Sequence, residues 1–208
     1  MRTVTLIDYD MGNLRSLANA LRAVDADVRI ADHGDGLRDA RHVILPGVGA
    51  FGASMHNLRE RHLDHALRHH VDAGRPFLGI CLGFQVLFER GTENGRHDGL
   101  GLFQGSVDRF DTTLHVPHVG WNVLDTTPHP LLDHLPPAAG PDPRPHVYFV
   151  HSYRPTDCNP DDVIATSDYD GPFVCAVARD NIVGTQFHPE RSGTDGLRIL
   201  SAFLDWNP

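Results

Sequence analysis

A cysteine lies at the centre of the segment best suited to chemistry in this chain, Gly79-Ile80-Cys81-Leu82-Gly83-Phe84-Gln85. Apolar runs at 76–78 and 86–88 flank it, so the pattern predicts a strand, a sharp turn at Cys81 and a helix. The same layout presents the serine of a nucleophile elbow. Glycines tolerate a tight turn and let a substrate approach the backbone, and a helix N-terminus favours thiolate over thiol. Cys81 is therefore a candidate nucleophile. A buried structural cysteine at a strand end is the alternative.

A histidine and a carboxylate lie two residues apart in the segment Gln186-Phe187-His188-Pro189-Glu190, which follows a strand-like run at 182–185. Proline favours extended geometry at the residue before it, and residues i and i+2 of an extended chain point the same way. His188 and Glu190 are therefore predicted to project from one face. The histidine could take a thiol proton while the carboxylate orients the ring. The alternative is a surface histidine beside a chance acid, in a chain with 15 histidines.

Composition limits the classes of function. The 208 residues carry a net charge of −9, which disfavours binding to nucleic acid or to an acidic membrane. All 18 basic residues are arginine, so a lysine nucleophile is excluded. Three cysteines without framework spacing argue against a secreted disulfide fold. We find no signal-like segment and no apolar run of membrane-spanning length, and therefore expect a cytoplasmic protein.

The order of elements predicts an α/β fold in one domain, 1–208. Strand-like runs at 4–7, 28–31, 43–45 and 77–80 alternate with helical spacing over 14–24 and 55–71. This alternation predicts a mostly parallel central sheet flanked by helices. After residue 100, short strands dominate, which predicts a smaller antiparallel region before a last helix at 196–206. The predicted strands of this part are 105–110, 119–124, 147–153, 173–178 and 182–187. Residues 126–146 are rich in proline and are predicted to form a surface insertion.

Two other patterns have competing interpretations. The glycines of Gly47-Val48-Gly49-Ala50-Phe51-Gly52 fit a dinucleotide fingerprint, but the acid at the required distance, Asp72, falls at the end of a helix rather than a strand. We interpret the segment instead as a source of backbone N–H donors for an oxyanion. His62, His65, His69 and His70 lie on one predicted helix, where positions i, i+3 and i+7 share a face, but no metalloprotease pattern accompanies them, so we expect a solvated face and no metal. Cys158 and Cys175 lack an element resembling His188-Pro189-Glu190.

The two reactive segments resemble the signatures of class I glutamine amidotransferases, which are glutaminases with a Cys-His-Glu triad. Further strings are similar to those of one group within that family, the glutaminase subunits of imidazole glycerol phosphate synthase, from histidine biosynthesis. These strings lie at 7–16, 45–51, 117–122, 148–153 and 186–193, and the similarity runs from residue 4 to residue 204. The resemblance implies a class I glutamine amidotransferase-like fold that needs no cofactor.

The resemblance also implies a reaction and a partner. Cys81, His188 and Glu190 would hydrolyse glutamine to glutamate and ammonia. The ammonia would pass to a (β/α)8-barrel cyclase, in a heterodimer that makes imidazole glycerol phosphate and an aminoimidazole carboxamide ribotide. The nearest alternative is a glutaminase subunit of another class I amidotransferase. A non-enzymatic relative is disfavoured by the complete triad.

Other roles follow from the resemblance position by position. Gly49 and Leu82 would form the oxyanion hole. The residues implied in substrate binding are Gly47, Gln85, Glu93, His151, Ser152 and Tyr153. The residues implied to face the partner are Asn13, Trp121, Tyr148 and Arg191. Four positions depart from the family's usual residues: Asp10, Phe84, His115 and Arg191.

Overall fold

The computed structural model describes residues 2–135 and 142–208, which form three β-sheets and five α-helices. The strands are β1 Arg2–Ile7, β2 Ala26–Ala31, β3 His42–Leu45, β4 Phe77–Ile80, β5 Phe88–Gly91, β6 His97–Asp98, β7 Phe103–Arg109, β8 His118–Val123, β9 Asp125–Thr126, β10 His146–His151, β11 Tyr153–Thr156, β12 Val163–Asp168, β13 Pro172–Arg179 and β14 Ile182–Thr185. The α-helices are α1 Leu14–Ala23, α2 Phe51–Glu60, α3 Leu63–Asp72, α4 Leu82–Gln85 and α5 Gly193–Asp205.

The largest sheet has eight strands in the order β2-β1-β3-β4-β14-β13-β12-β9. Its first five strands are mutually parallel, and the pairs from β14 onward are antiparallel. A four-stranded sheet (β11-β7-β5-β6) and the hairpin-like pair β10-β8 complete the fold. The predicted α/β class, with a mostly parallel central sheet and a smaller antiparallel region, is confirmed.

The central sheet is covered on both faces, and its inner strands are mostly apolar. Strands β3, β4 and β14 are buried along their whole length. One hydrophobic cluster joins the sheet to α1 and α5, and a second joins the opposite face to α2 and α3. Continuous apolar strands of this kind are typical of a parallel sheet between two helical layers. Such packing leaves the carboxyl ends of the strands as the place for a site.

The helix predicted over 55–71 is wrong as a single element. The structure has two helices there, α2 and α3, because His62 adopts a left-handed conformation (φ 55°) that ends one helix and redirects the chain. The apolar spacing is similar on both sides of the break, so the sequence pattern did not reveal it.

The helix predicted after Cys81 is much shorter than the apolar run suggested. It has a single turn, α4, and Phe88 already begins strand β5. Val86, Leu87 and Phe88 are fully buried. A run that is buried on all sides has no amphipathic period, so helix and strand cannot be separated by spacing alone.

The second half differs from prediction in two further details. The strand predicted at 147–153 is divided at Ser152 into β10 and β11, which belong to different sheets. Strand β12 was missed, although its β-branched residues favour a strand.

Residues 136–141 of the predicted 126–146 insertion lie outside the described residues. Elsewhere in that segment, Leu131 and Leu132 are buried in the cluster that includes α5. Across the two described ranges, none of the helices has the length and apolar character needed to cross a bilayer.

Candidate active site

Cys81 occupies a strained turn at the carboxyl end of β4. Its backbone has φ 56° and ψ −108°, values that L-residues rarely adopt. The Cys81 N–H donates to the Thr185 carbonyl of the neighbouring strand at 2.8 Å, which fixes the turn against β14. The side chain is 7% exposed, and it reaches a cleft beside the turn. This is the geometry by which a nucleophile elbow presents its reactive atom.

The glycines around Cys81 are needed for close packing rather than for positive φ angles. A Cβ built on Gly83 would lie 1.8 Å from the Leu45 carbonyl oxygen. A Cβ on Gly79 would lie 2.6 Å from the Gly83 carbonyl oxygen. The strained residue of the turn is therefore Cys81 itself, while Gly79 and Gly83 let α4 press against β3 and β4.

His188 and Glu190 follow β14, the strand next to β4. The His188 Nδ1 and the Glu190 Oε1 are 2.8 Å apart, and both side chains are more than nine-tenths buried. The His188 N–H donates to the Tyr148 carbonyl at 3.0 Å, and Ser192 Oγ donates to the His188 carbonyl at 2.7 Å. The adjacency of β4 and β14 thus brings Cys81 close to His188 and Glu190, which lie 107 and 109 residues later in the chain.

The environment of His188 favours the imidazolium form. Burial alone would lower its pKa, but a hydrogen bond and charge interaction with Cys81, and the same two effects from Glu190, raise the pKa to about 10. In the described chain the buried Nε2 has no partner in good hydrogen-bond geometry, so its contact with the Cys81 sulfur is imperfectly aligned at rest. Catalytic hydrogen bonds are often loose without substrate. The site therefore favours an imidazolium at His188 beside the Cys81 sulfur.

A cleft of about 270 Å³ opens beside Cys81. Its lining contains seven of the eight residues implied above for the oxyanion hole and substrate binding; Gly47 is the eighth and lies just behind. The seven are Gly49, Leu82, Gln85, Glu93, His151, Ser152 and Tyr153. A larger cleft of about 730 Å³ lies at the amino ends of β1 and β3, but no cysteine lines it. Chemistry rather than size therefore identifies the site.

The backbone donors near Cys81 are partly occupied. The Leu82 N–H donates to the Gly47 carbonyl at 3.3 Å, and the Val48 N–H donates to the Met11 carbonyl at 2.5 Å. Gly47 C=O and Val48 N–H belong to the same peptide unit, so one peptide holds both bonds. Gly49 has φ 109°, a conformation that favours glycine. The two donors implied for the oxyanion hole border the cleft, but the Leu82 donor is covered at rest.

Glu93 and Gln85 are held by other parts of the protein. Glu93 Oε2 accepts the Phe51 N–H at 2.8 Å and so caps α2. A carboxylate at that helix terminus opposes the dinucleotide interpretation of residues 47–52, since a pyrophosphate would need the same position. Gln85 Nε2 donates to the Tyr153 carbonyl at 3.1 Å and to Gln186 Oε1 at 3.0 Å.

A buried pair of histidines, His118 and His151, lies at the wall of the cleft, and only His151 was predicted as a site residue. His151 Nδ1 is 2.8 Å from the Tyr153 carbonyl, and its Nε2 is 3.1 Å from His118 Nδ1. Burial lowers the pKa of His118 to about 4, and mainly burial lowers that of His151 to about 3. The pair is neutral and fixes the turn between β10 and β11. The sequence did not indicate the role of His118, because the two histidines lie on separate strands, 33 residues apart.

The other candidate side chains lie apart from the cleft. Burial, with nearby Asp157 and Asp162, raises the pKa of the Cys158 thiol to about 11, and burial raises that of Cys175 well above its usual value. His70 is buried rather than part of the predicted solvated face, and its Nε2–H donates to the Pro76 carbonyl at 3.1 Å. Within residues 2–135 and 142–208 no cluster of three or more potential metal ligands is present.

Three of the four residues implied to face a partner form one surface cluster. The Arg191 guanidinium lies 4.0 Å from the centre of the Tyr148 ring, and the Trp121 and Tyr148 rings are 6.2 Å apart, edge to face. Trp121 is 57% exposed. Asn13 is exposed at the start of α1, and α1 contacts the 3-10 turn Pro189–Arg191.

Comparison with known proteins agrees with this geometry. The family described as glutamine amidotransferase class-I matches residues 5–206. A protein of Salinibacter ruber named imidazole glycerol phosphate synthase subunit HisH is 44% identical over 207 residues, covering 96% of this chain and 92% of its own. The protein of the same name from Caulobacter vibrioides is 43% identical, and both chains are fully covered.

Solved structures show the same fold at lower sequence identity. The PurLQS structure from Thermotoga maritima has a TM-score of 0.78 at 19% identity, covering 98% of this chain and 97% of that chain. A crystal structure of a glutamine amidotransferase has a TM-score of 0.75 at 19% identity, with 97% of each chain covered. The chain belongs to the class I glutamine amidotransferase family, and the predicted resemblance and enzyme class are confirmed at that level.

Proposed function

We propose that this chain is the glutaminase subunit of an imidazole glycerol phosphate synthase, and that Cys81, His188 and Glu190 are its catalytic residues. The observation that supports this most is the pairing of β4 with β14, which brings Cys81 beside the buried His188–Glu190 pair. The names of full-length relatives at 43–44% identity supply the particular synthase. Its partner is then a (β/α)8-barrel cyclase, its substrate is glutamine, and it works in the cytoplasm.

The reaction proceeds through a thioester. The Cys81 thiolate attacks the side-chain amide carbon of glutamine, and His188 protonates the nitrogen as the carbon–nitrogen bond breaks. Ammonia leaves, and a glutamyl thioester remains on Cys81. His188 then takes a proton from water, which attacks the thioester and releases glutamate and the thiolate. Glu190 holds the Nδ1–H tautomer of His188 throughout.

Glutamine binds in the 270 Å³ cleft. Glu93 offers a carboxylate to the substrate ammonium group, and the turn at His151, Ser152 and Tyr153 lines the opposite wall. Gly49 and Leu82 donate backbone N–H groups to the oxygen that becomes negatively charged.

The resting site is incompletely formed. The Leu82 N–H remains bonded to Gly47 until the peptide between Gly47 and Val48 rotates, which also releases the Val48 N–H from Met11. Rotation of this peptide therefore exposes the Leu82 N–H and frees the Val48 N–H. A partner activates the enzyme if it binds the rotated form more tightly than the resting form.

The proposed partner surface surrounds Trp121, Tyr148 and Arg191. Val119, on the same face of β8, is 55% exposed, and Val48 at the cleft is 46% exposed. Exposed aromatic and apolar side chains grouped in this way are typical of protein interfaces. Because Tyr148 also binds the His188 N–H, this surface is directly bonded to the triad.

The Cys81→Ala variant tests the proposal. In the complex with the cyclase we expect glutamine-dependent synthesis to fall by at least about 10³-fold, since no thioester can form. Synthesis from an added ammonium salt should continue, because the thiolate makes ammonia and takes no part in using it. A Cys158→Ala variant serves as the matched control and should retain both activities. Loss of both activities in an assembled Cys81→Ala complex would refute the proposed division of labour.

A further inference from the structure

The amide of Gln186 lies against the sulfur of Cys81. Gln186 is completely buried, and its Nε2 is 3.8 Å from Cys81 Sγ, within the range for a hydrogen bond to sulfur. The residue belongs to the segment 186–190, but the mechanism above gives it no role. A fully buried amide that faces this sulfur can affect the charge state of the sulfur directly.

The orientation of the Gln186 amide is set by its neighbours. The Tyr153 carbonyl can only accept, so the Gln85 atom 3.1 Å from it must be the nitrogen. The same Gln85 nitrogen donates to Gln186 at 3.0 Å, so the Gln186 atom facing it must be the oxygen. Only the nitrogen of Gln186 remains to face the sulfur. The His151 side chain holds the Tyr153 carbonyl from its other side, at 2.8 Å.

A donor at this position favours the thiolate over the thiol. As a thiol, Cys81 can donate to the Val150 carbonyl at 4.0 Å, and that carbonyl would repel a thiolate. The imidazolium form of His188 stabilises a thiolate from one side, but helix α4 has only one turn, so its dipole adds little. The Gln186 N–H can bond to either form, but the bond to a charged thiolate is stronger, since a thiol sulfur is only a weak acceptor.

We propose that Gln186 is a positioning residue that holds and stabilises the Cys81 thiolate, and that Gln85 sets the direction of its amide. This inference rests on the proposed role of Cys81 as nucleophile. It assigns to Gln85 a function that does not require contact with glutamine. Both residues act on the sulfur before substrate binds.

The test measures alkylation of Cys81 by iodoacetamide as a function of pH, with the modified peptide quantified by mass spectrometry. Gln186→Glu keeps the acceptor for Gln85 and replaces the donor to sulfur by a carboxylate oxygen. Gln186→Met keeps the side-chain length and removes both groups. In each variant we expect the midpoint of alkylation to move upward by about one pH unit or more, since a bond to the charged form is lost. Two variants guard against failure of one to fold.

Two further readouts separate positioning from a general structural role. Glutaminase kcat, measured with the cyclase bound, should fall about tenfold in Gln186→Met, while KM for glutamine changes less than about threefold. Gln85→Leu should also raise the alkylation midpoint in the otherwise unchanged protein. It should have no such effect in the Gln186→Met background, because Gln85 acts through Gln186.

Unchanged midpoints and unchanged kcat in both folded Gln186 variants would overturn the inference, while an inactive Cys81→Ala variant would leave the proposed function intact. If instead Cys81→Ala retained glutaminase activity, the proposed function would fail and this inference with it. The two failures therefore give different results.

Discussion

Two parts of the protein border Cys81, and they hold their functional groups in different ways. At the carboxyl ends of β4 and β14, main-chain bonds between paired strands fix Cys81 beside His188 and Glu190. In the segment 46–49, the Gly47 carbonyl instead accepts the Leu82 N–H, and the Val48 N–H donates to the Met11 carbonyl. The proposed nucleophile and base are fixed by the sheet, whereas the proposed Leu82 donor is occupied by the Gly47 carbonyl at rest. Assembly of the site and its activation are therefore separate properties.

Glu190→Gln tests the part that is fixed. Without the carboxylate, His188 loses the partner that holds its tautomer, so glutamine hydrolysis by the complex should fall by about 10²–10⁴-fold. Steady-state glutamate release measures this effect. An effect below about threefold would show that Glu190 is not the orienting group.

The same variant has a signature in stability against pH. The folded-state pKa of His188 is raised to about 10 from its ordinary 6.5, so the stabilisation is complete below about pH 6.5 and is lost as pH rises through about 10. Glu190→Gln should therefore lower the free energy of unfolding more at about pH 6 than at about pH 10.5. Urea denaturation at the two pH values provides the check, and an equal loss at both would contradict the assignment.

Because the 46–49 segment covers the Leu82 donor at rest, we expect the partner to accelerate glutamine hydrolysis strongly. The isolated chain should hydrolyse glutamine slowly, and the cyclase with a bound ribotide ligand should accelerate it by about 10²–10³-fold, the effect of gaining one oxyanion donor. Glutamate release is measured for the chain alone, with cyclase, and with cyclase plus ligand. Equal rates in all three would refute the gating of this segment while leaving the triad untouched.

Trp121→Ala should have the smaller effect of weakening the complex. We expect the dissociation constant for the cyclase to rise about tenfold or more, as for a buried aromatic anchor, while glutamine hydrolysis at saturating cyclase stays within about threefold. Ile30→Ala is the matched control, because Ile30 is as exposed (58% against 57%) but lies on the edge strand β2. Calorimetric titration distinguishes the two variants, and equal affinities would remove Trp121 from the interface.

The sequence predicted the parts of the fold that have a clear period or a local motif. Strands β1, β3 and β4 and helices α1 and α5 follow from apolar spacing, and the positions of Cys81 and His188 follow from their turns. The break at His62 and the early end of α4 could not be predicted, since both depend on tertiary packing of apolar residues.

The contacts that support the site could not be predicted from the sequence either. His118 and Gln186 reach their partners only through strand pairing. The departure at Asp10, by contrast, is visible in the sequence and has a local explanation. The structure gives Asp10 a φ of 62°, a conformation that glycine adopts freely and aspartate tolerates. Its carboxylate pairs with Arg61.

The most direct test of the account is labelling by a glutamine-analogue diazoketone in the presence of the cyclase, followed by peptide mass mapping. The central claim is that the turn between β4 and α4 makes Cys81 the nucleophile. Burial raises the pKa of both other thiols, those of Cys158 and Cys175, and neither belongs to a triad. We predict a single label, on Cys81, with loss of glutamine-dependent activity in proportion to labelling. A label on Cys175 or Cys158 with Cys81 unmodified would contradict the account.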